Sequence, residues 1–278
     1  MKIVGAAQGW SGPPQVREGR ALDQVEIRLC RTLEELQACV ELQKEVWNFA
    51  DADLIPLRMF VVAQKIGGQV LGAFLPSGGA AQLIGFALAI PGNRGARSYL
   101  HSHMLAVSEA YRNSGLGRRI KLAQREEALR SGIELMEWTF DPLEIKNAYL
   151  NLHKLGAIAR RYNINQYGIS SSPLQGGLPT DRLIAEWWLR SRRVVELLDH
   201  NSEPDVKPEL AIEVPAQIYD WKAKPETRPL AAEVHARNRE LFLSAFARGM
   251  AALEYQRDAA GNGRFLLGRW DENFSYGA

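Results

Sequence analysis

The chain is poor in the residues that most often announce chemistry. Its 278 residues include two cysteines, Cys30 and Cys39, and five histidines. Two thiols without further ligands at metal spacing make no zinc site, and nothing in their setting calls for a disulfide, so both read as small core residues. No apolar run approaches the length of a membrane span, and the N-terminal stretch MKIVGAAQGWSGPP lacks the apolar core of a signal peptide. The formal net charge is +2, too small to argue for broad binding to nucleic acid or to a membrane surface. The expectation is a cytoplasmic protein with no metal, no nucleic-acid partner and no membrane partner. What the chain does have is 46% hydrophobic residues, enough for a sizeable core in one large domain or two modest ones.

Periodicity orders these residues into alternating elements. Residues 1–24 are rich in Gly, Pro and charge and are expected to form a flexible lead-in. Val25 to Arg31 alternates as a strand, Thr32 and Glu35 make a capping box, and Leu33, Leu36, Val40 and Val46 continue as an amphipathic helix. After a loop from Asn48 to Ile55 come a helix over 56–66 and strands at 69–75, 82–90 and 98–107, the first two separated by a turn at Pro76 to Gly79. A helix over 116–130, a strand over 134–140, a helix over about 144–155 closed by Gly156, and extended stretches at 157–167 and 182–189 complete a unit spanning 25–190. The Pro-rich, charged segment 201–208 is the natural boundary. Beyond it, over 209–278, a strand ends at Pro215 and a long helix follows Pro229, with Val234, Leu241, Ala245 and Ala252 spaced for one buried face. Gly249 can stop that helix, and Gly261-Asn262-Gly263 marks a hairpin. This part reads as an α+β extension packed on the first unit.

The most informative run is LHSHMLAVSEAYRNSGLG, from Leu100 to Gly117. A strand with Leu105, Ala106 and Val107 at its core leads into the pattern R-x-x-G-x-G, formed by Arg112, Asn113, Ser114, Gly115, Leu116 and Gly117, and a helix opens there. The two glycines let backbone N–H groups approach a ligand closely. Unpaired donors and the helix dipole favour an anion at such a terminus, and a diphosphate suits it. Arg118, Arg119, Lys121 and Arg125 are expected to turn outward, away from Leu116, Ile120 and Ala123. His101 and His103 are two apart in a strand, so their imidazoles project from one face with a pKa suited to proton transfer near neutrality. The alternatives are an ordinary strand-to-helix turn and a pair of solvent-facing imidazoles.

The glycine motif after a fourth strand, with the order β-α-α-β-β-β-α-β-α-β-β over 25–190, resembles the GCN5-related N-acetyltransferase (GNAT) superfamily. The stretch from His101 to Gly117 resembles the same stretch of the serotonin N-acetyltransferases, and the whole chain is similar to bacterial predicted acetyltransferases. The resemblance implies an α/β (α+β) acyl-CoA N-acyltransferase fold with a mixed, mostly antiparallel sheet. It implies acetyl-CoA, or another acyl-CoA, as co-substrate, with its diphosphate on the Arg112 to Arg118 loop. It also implies that backbone N–H groups near Leu105, Ala106 and Val107 hold the oxyanion while His101 and His103 pass the amine proton outward. A tyrosine four residues before the glycine that closes the helix after the fifth strand would protonate the sulfur. Here that position is Leu152, so Tyr149, water or unassisted departure must serve. Asn147 and Asn151 are candidates for the pantetheine arm and are equally readable as polar surface residues.

Acyl transfer to an amine needs a neutral nucleophile, a place for the oxyanion and a proton for the thiolate. An alkyl amine with a pKa near 10.4 is mostly protonated at pH 7, and reaching its reactive form costs about 4.6 kcal/mol. The expected function is therefore an acyl-CoA-dependent N-acyltransferase acting on a small-molecule amine by direct attack, with an amino acid among the candidate acceptors. Arg58, Arg160, Arg161 or Arg182 would then meet its carboxylate. Glu137 is an alternative base, though a strand glutamate more often faces solvent. Asp141-Pro142 reads as a helix-entry turn, and Asp181-Arg182 as a cap or ion pair. Trp47, Trp138, Trp187 and Trp188 read first as core. The competing reading is a non-catalytic acyl-CoA sensor. The extension would complete the acceptor pocket or make a homodimer contact.

Overall fold

The computed structural model describes residues 22–47, 54–77, 80–168 and 175–270. Nearly all of the expected lead-in, most of the loop from Asn48 to Ile55 and the tip of the turn after Pro76 lie outside these residues. Strand β1 (Glu26–Leu29) runs into a reciprocal cap. Thr32 Oγ1 accepts the Glu35 N–H at 3.3 Å, while the Glu35 carboxylate accepts the Arg31 N–H at 2.6 Å, and helix α1 (Leu33–Trp47) starts there. Helix α2 (Leu57–Lys65), strands β2 (Gln69–Ser77), β3 (Ala80–Arg94) and β4 (Arg97–Val107), and helix α3 (Leu116–Arg130) follow. Strand β5 (Leu135–Phe140) leads to α4 (Ile145–Ala148), which widens into a π-helical turn over Tyr149–Lys154. Gly156, at φ +74°, ends it. Strands β6 (Ile158–Asn163) and β7 (Arg182–Trp188) complete the expected order.

Two helices escape the periodicity reading. One is α5 (Arg192–Asp199), capped by Ser191 Oγ on the Val194 N–H at 3.3 Å; the other is α6 (Ile218–Ala223). The extension adds β8 (Leu210–Val214), α7 (Arg228–Ala247), β9 (Met250–Arg257) and β10 (Gly263–Arg269). Gly249, at φ +77°, stops α7, so Ala252 belongs to β9 rather than to the helix. The buried face of α7 is Ala231, Val234, His235, Asn238, Phe242 and Ala245.

The ten described strands form one sheet in the order β1-β2-β3-β4-β5-β7-β6-β9-β10-β8. All neighbours are antiparallel except β4 and β5. A single pairing of Ala159 with Ala252 carries the sheet from β6 into the extension. On one face α1 and α2 press Leu36, Cys39 and Phe60 onto Val70, Phe86, Leu88, Met104 and Ala106. On the other, α3 sets Leu116 and Ile120 against Ile84, Ala87 and Leu105. The largest cluster continues there through Trp138, Trp187, Leu152, Phe242 and Phe265, with the two indoles edge to face at 5.9 Å. Cys30 and Cys39 are buried, their sulfurs 3.9 Å apart.

Two irregularities shape the centre of the sheet. Among the described residues β4 and β5 pair only at Leu100 with Met136 and His101 with Glu137, so a wedge opens beyond them. In β4 the register against β3 steps from Ser102 opposite Ala89 to Met104 opposite Leu88, leaving His103 as a bulge. The bulge reverses the alternation. Ser102 turns toward α3, yet Leu105 and Val107, not Met104 and Ala106, turn that way afterwards.

Candidate active site

Backbone conformation shapes the candidate anion cradle. Asn113 at φ +61° and Gly115 at φ +86° turn the chain into α3. A Cβ on Gly115 would meet nothing within 4 Å, and one on Gly117 would only touch Leu105 and Val107 at 3.8 and 3.9 Å. Leu116 N–H is taken by Ser114 Oγ at 3.4 Å, and Arg119 N–H by Gly115 O at 3.1 Å. Between them the N–H groups of Gly117 and Arg118 lie in the first turn, where a helix supplies no acceptor. Arg112 spans from Val107 O (3.5 Å) to Val46 O (3.4 Å), Arg118 reaches Lys154 O (3.4 Å), and Lys146 reaches Asn113 Oδ1 (3.5 Å) beside the exposed Asn147. An open left-handed turn, first-turn donors and three surrounding cations fit the diphosphate of an acyl-CoA. Arg119 turns elsewhere, tying α3 to Leu22 O (2.6 Å) and Val25 O (3.1 Å).

His101 and His103 lie where β4 leaves β5, their ring centroids 6.0 Å apart. His101 is half-buried. Burial first, then the neighbouring His103, Lys121 and Arg94, push its pKa down to about 4, so the ring is neutral at pH 7 but a weaker base than the near-neutral imidazole expected from the sequence. Glu137, across the last strand pair, does not face solvent as a strand glutamate was expected to. It is 2% exposed and accepts Arg161 Nη2 at 2.6 Å and Arg94 Nη2 at 3.2 Å. Glu186 on β7 accepts Arg161 Nε and Trp188 Nε1, both at 3.2 Å, and pairs with Arg160. A bulge at Arg160 brings both arginines to this face. Two of the four arginines proposed for an acceptor carboxylate therefore already hold carboxylates of the protein. Arg182 lies 5.5 Å from the Tyr167 ring centroid and donates to Gln175 Oε1 at 3.3 Å, and Arg58 is exposed on α2.

The α3 side of the wedge departs from expectation. Lys121 does not turn outward: it is 3% exposed, donates to Ser102 Oγ at 2.9 Å, and stands 3.6 Å from the Trp138 ring centroid. Arg125 also turns in, pairing with Asp199 at 2.7 Å. Leu152 is wholly buried in the main core, and Asn151 is buried beside it. Tyr149 stacks on His153 at 4.6 Å and lines a cavity of about 440 Å³ with Tyr255, Arg257 and Arg264 of the C-terminal hairpin. Asp181 is buried and bonds Arg239 and Tyr162, Asp141 bonds the Leu143 N–H and Lys222, and Trp138, Trp187 and Trp188 are core.

No curated protein matches the chain. Among solved structures it is similar to the ribosomal-protein-S18-alanine N-acetyltransferase of Escherichia coli, at 16% identity over 60% of this chain and 95% of that one, with a TM-score of 0.46. It is also similar to yncA of Salmonella typhimurium, solved with its cofactor acetyl-CoA (19%, 61% and 96%, 0.48). A third is a GNAT family acetyltransferase from Elizabethkingia anophelis with acetyl-CoA bound (15%, 60% and 99%, 0.43). Residues 33–156, from α1 to the glycine that closes α4, match the profile of the acetyltransferase (GNAT) family. With the α/β layering and the mostly antiparallel sheet described above, that match identifies the stretch as a GNAT acetyltransferase domain.

Proposed function

We propose that the chain is an acyl-CoA-dependent N-acyltransferase that acylates the amine of a small molecule, acetyl being the default donor. The observation that carries this reading is a half-buried imidazole at the parting of β4 and β5, on the strand whose far end enters the candidate diphosphate cradle. The residues of this chain then divide the work. The N–H groups of Gly117 and Arg118, with Arg112 and Lys146 nearby, hold the diphosphate. Beyond His101, β4 has no strand partner on its β5 side among the described residues, so backbone groups from His103 to Val107 can orient the thioester and hold the oxyanion. His101 and His103 take the proton that the attacking amine sheds and pass it to solvent. Acceptor and thioester meet in one complex, and the amine attacks directly. An amino acid suits the acceptor side, where Arg182 and Arg58 remain to meet a carboxylate.

The test is release of free thiol from acetyl-CoA, and from succinyl-CoA, across a panel of amines and amino acids. Turnover with at least one acceptor is expected. The double variant His101→Ala/His103→Ala is then expected to lower kcat about 10²-fold or more with little change in acetyl-CoA affinity. Wild-type turnover in that variant removes the imidazoles from the reaction. Leu152 at the usual tyrosine position favours one second reading, a non-catalytic acyl-CoA sensor, which would bind the thioester and release no thiol with any acceptor.

A further inference from the structure

Two lysines are buried among the described residues, and the fold provides for them differently. Lys222 is ion-paired to Asp141 at 3.1 Å and Glu144 at 3.2 Å. Lys121 has no described carboxylate within ion-pair distance. Its partners are the Ser102 hydroxyl, which in turn donates to Gln124 Oε1 at 3.1 Å, and the faces of Trp138 and Trp187, whose centroids lie 3.6 and 5.7 Å away. A buried ammonium without a counter-ion is costly and persists where something depends on it.

Its place in the fold says what that is. His101 and Glu137 form the last pair between β4 and β5. Ser102 and Trp138 are the next residue on each strand, and both turn to the α3 side. Lys121 bridges them, hydrogen-bonded to one and seated over the other, so its ammonium sits at the apex of the wedge. It stands one turn along the same helix whose first turn forms the diphosphate cradle, and on the opposite face of β4 from the imidazoles. A thioester anchored at that cradle and presented through the wedge to the histidine face has to pass this ammonium.

We propose that Lys121 is the proton donor to the departing thiolate, doing for this chain what Leu152 cannot. The inference rests on the acyl-transfer reading above. The amine nitrogen bonds to the thioester carbon; on collapse the C–S bond breaks, and the sulfur takes a proton from Lys121 Nζ. The proton shed by the amine leaves through the histidine face, and Lys121 is reprotonated from solvent once the thiol has gone. The acidities agree with this direction. An ordinary lysine, near 10.4, is a weaker acid than a thiol near 8.5. Burial lowers Lys121 to about 7, which makes donation to a thiolate downhill.

The experiment pairs Lys121→Met and Lys121→Gln with an NMR titration of the Lys121 Nζ resonance in the wild-type protein. Both variants are expected to lose about 10²-fold in kcat with the Kd for CoA changed less than about threefold and a Tm no lower than wild type. Wild-type turnover in a folded variant overturns the proposal. The NMR readout needs neither variant nor turnover: the Nζ resonance and its titration are expected to move when CoA binds and to stay put with desulfo-CoA, which lacks the thiol. An equal response to both ligands, or to neither, overturns the proposal as well. If the wild-type protein acylates no amine, the acyl-transfer reading itself has failed and this inference falls with it, a result distinct from active wild type with active variants.

Discussion

Where β4 leaves β5, the two faces of the sheet are built from opposite chemistry. One carries His101, His103 and a ladder of carboxylates and arginines, Glu137 and Glu186 with Arg94, Arg160 and Arg161. The other carries Lys121 between two indoles, with a serine and a glutamine as its polar neighbours. The difference is one of counter-charge. On the histidine face the buried carboxylates Glu137 and Glu186 are held by guanidinium groups, which offset the pull they would otherwise exert to raise the pKa of the imidazoles. On the lysine face carboxylates are excluded, and the ammonium is left strained toward its neutral form. Both groups are held below their ordinary pKa chiefly by burial, which keeps the imidazole neutral at pH 7 and makes the buried ammonium a readier proton donor than an ordinary lysine.

The largest expected effect tests whether the ladder is structural. Glu186→Ala removes a 1% exposed carboxylate that serves Arg160, Arg161 and Trp188. Leaving two guanidinium groups facing a gap is expected to cost about 3 kcal/mol, the low end for a broken buried pair, because both arginines are about a quarter exposed. Urea unfolding measures it. A loss below about 1 kcal/mol would mean that the ladder is solvated and that the two faces differ less than their contacts suggest.

The next effect separates the faces by pH. The folded pKa of His101, about 4, lies below its unfolded value near 6.5, so its contribution makes stability rise with pH between about 4 and 6.5 and is lost as pH falls through that window. Lys121 behaves alike in a higher window. Its folded value is about 7 against about 10.4 unfolded, so the unfolded chain holds the proton that the folded one has released, and stability rises from about pH 7 toward 10. The stability difference between wild type and Lys121→Met is therefore expected to shift toward wild type by up to about 1.4 kcal/mol per pH unit across that window. A flat difference from pH 7 to 9 would show that Lys121 keeps its proton and that the asymmetry between the faces is absent.

Much of this architecture was legible because it is periodic. The capping box of Thr32 and Glu35, the span of α3 and the hairpin at Gly261-Asn262-Gly263 all follow from local rules. What was not legible depends on register and on distant partners. Alternation places Ser102 and Met104 on one face, and the extra residue at His103 separates them. Local pattern predicts a solvent-facing Glu137, because the arginines that bury it come from β3 and β6. The charge of Lys121 predicts an outward side chain, and its spacing predicts the opposite. Leu116, Ile120, Gln124 and Ala128 recur every four residues, and Lys121 stands beside that stripe, in line with Gln124 and Ala128. The spacing alone was sufficient to find it.

The smallest effect concerns the end of the lysine face where the proposed diphosphate cradle lies. Gly115→Ala adds one methyl at φ +86° in a space with no atom within 4 Å, so no neighbour has to move. The cost to the fold is the backbone penalty for an L-residue in the left-handed region, about 1 kcal/mol. The same methyl would stand in the cradle where phosphate oxygens are expected to approach the main chain. Calorimetry is expected to show a weaker Kd for CoA, by about tenfold, while kcat at saturating thioester and the pKa of Lys121 stay as in wild type, because neither the wedge nor its ammonium is touched. If Gly115→Ala binds CoA like wild type and loses only stability, the glycine serves the turn alone, and the anion site must lie elsewhere on α3.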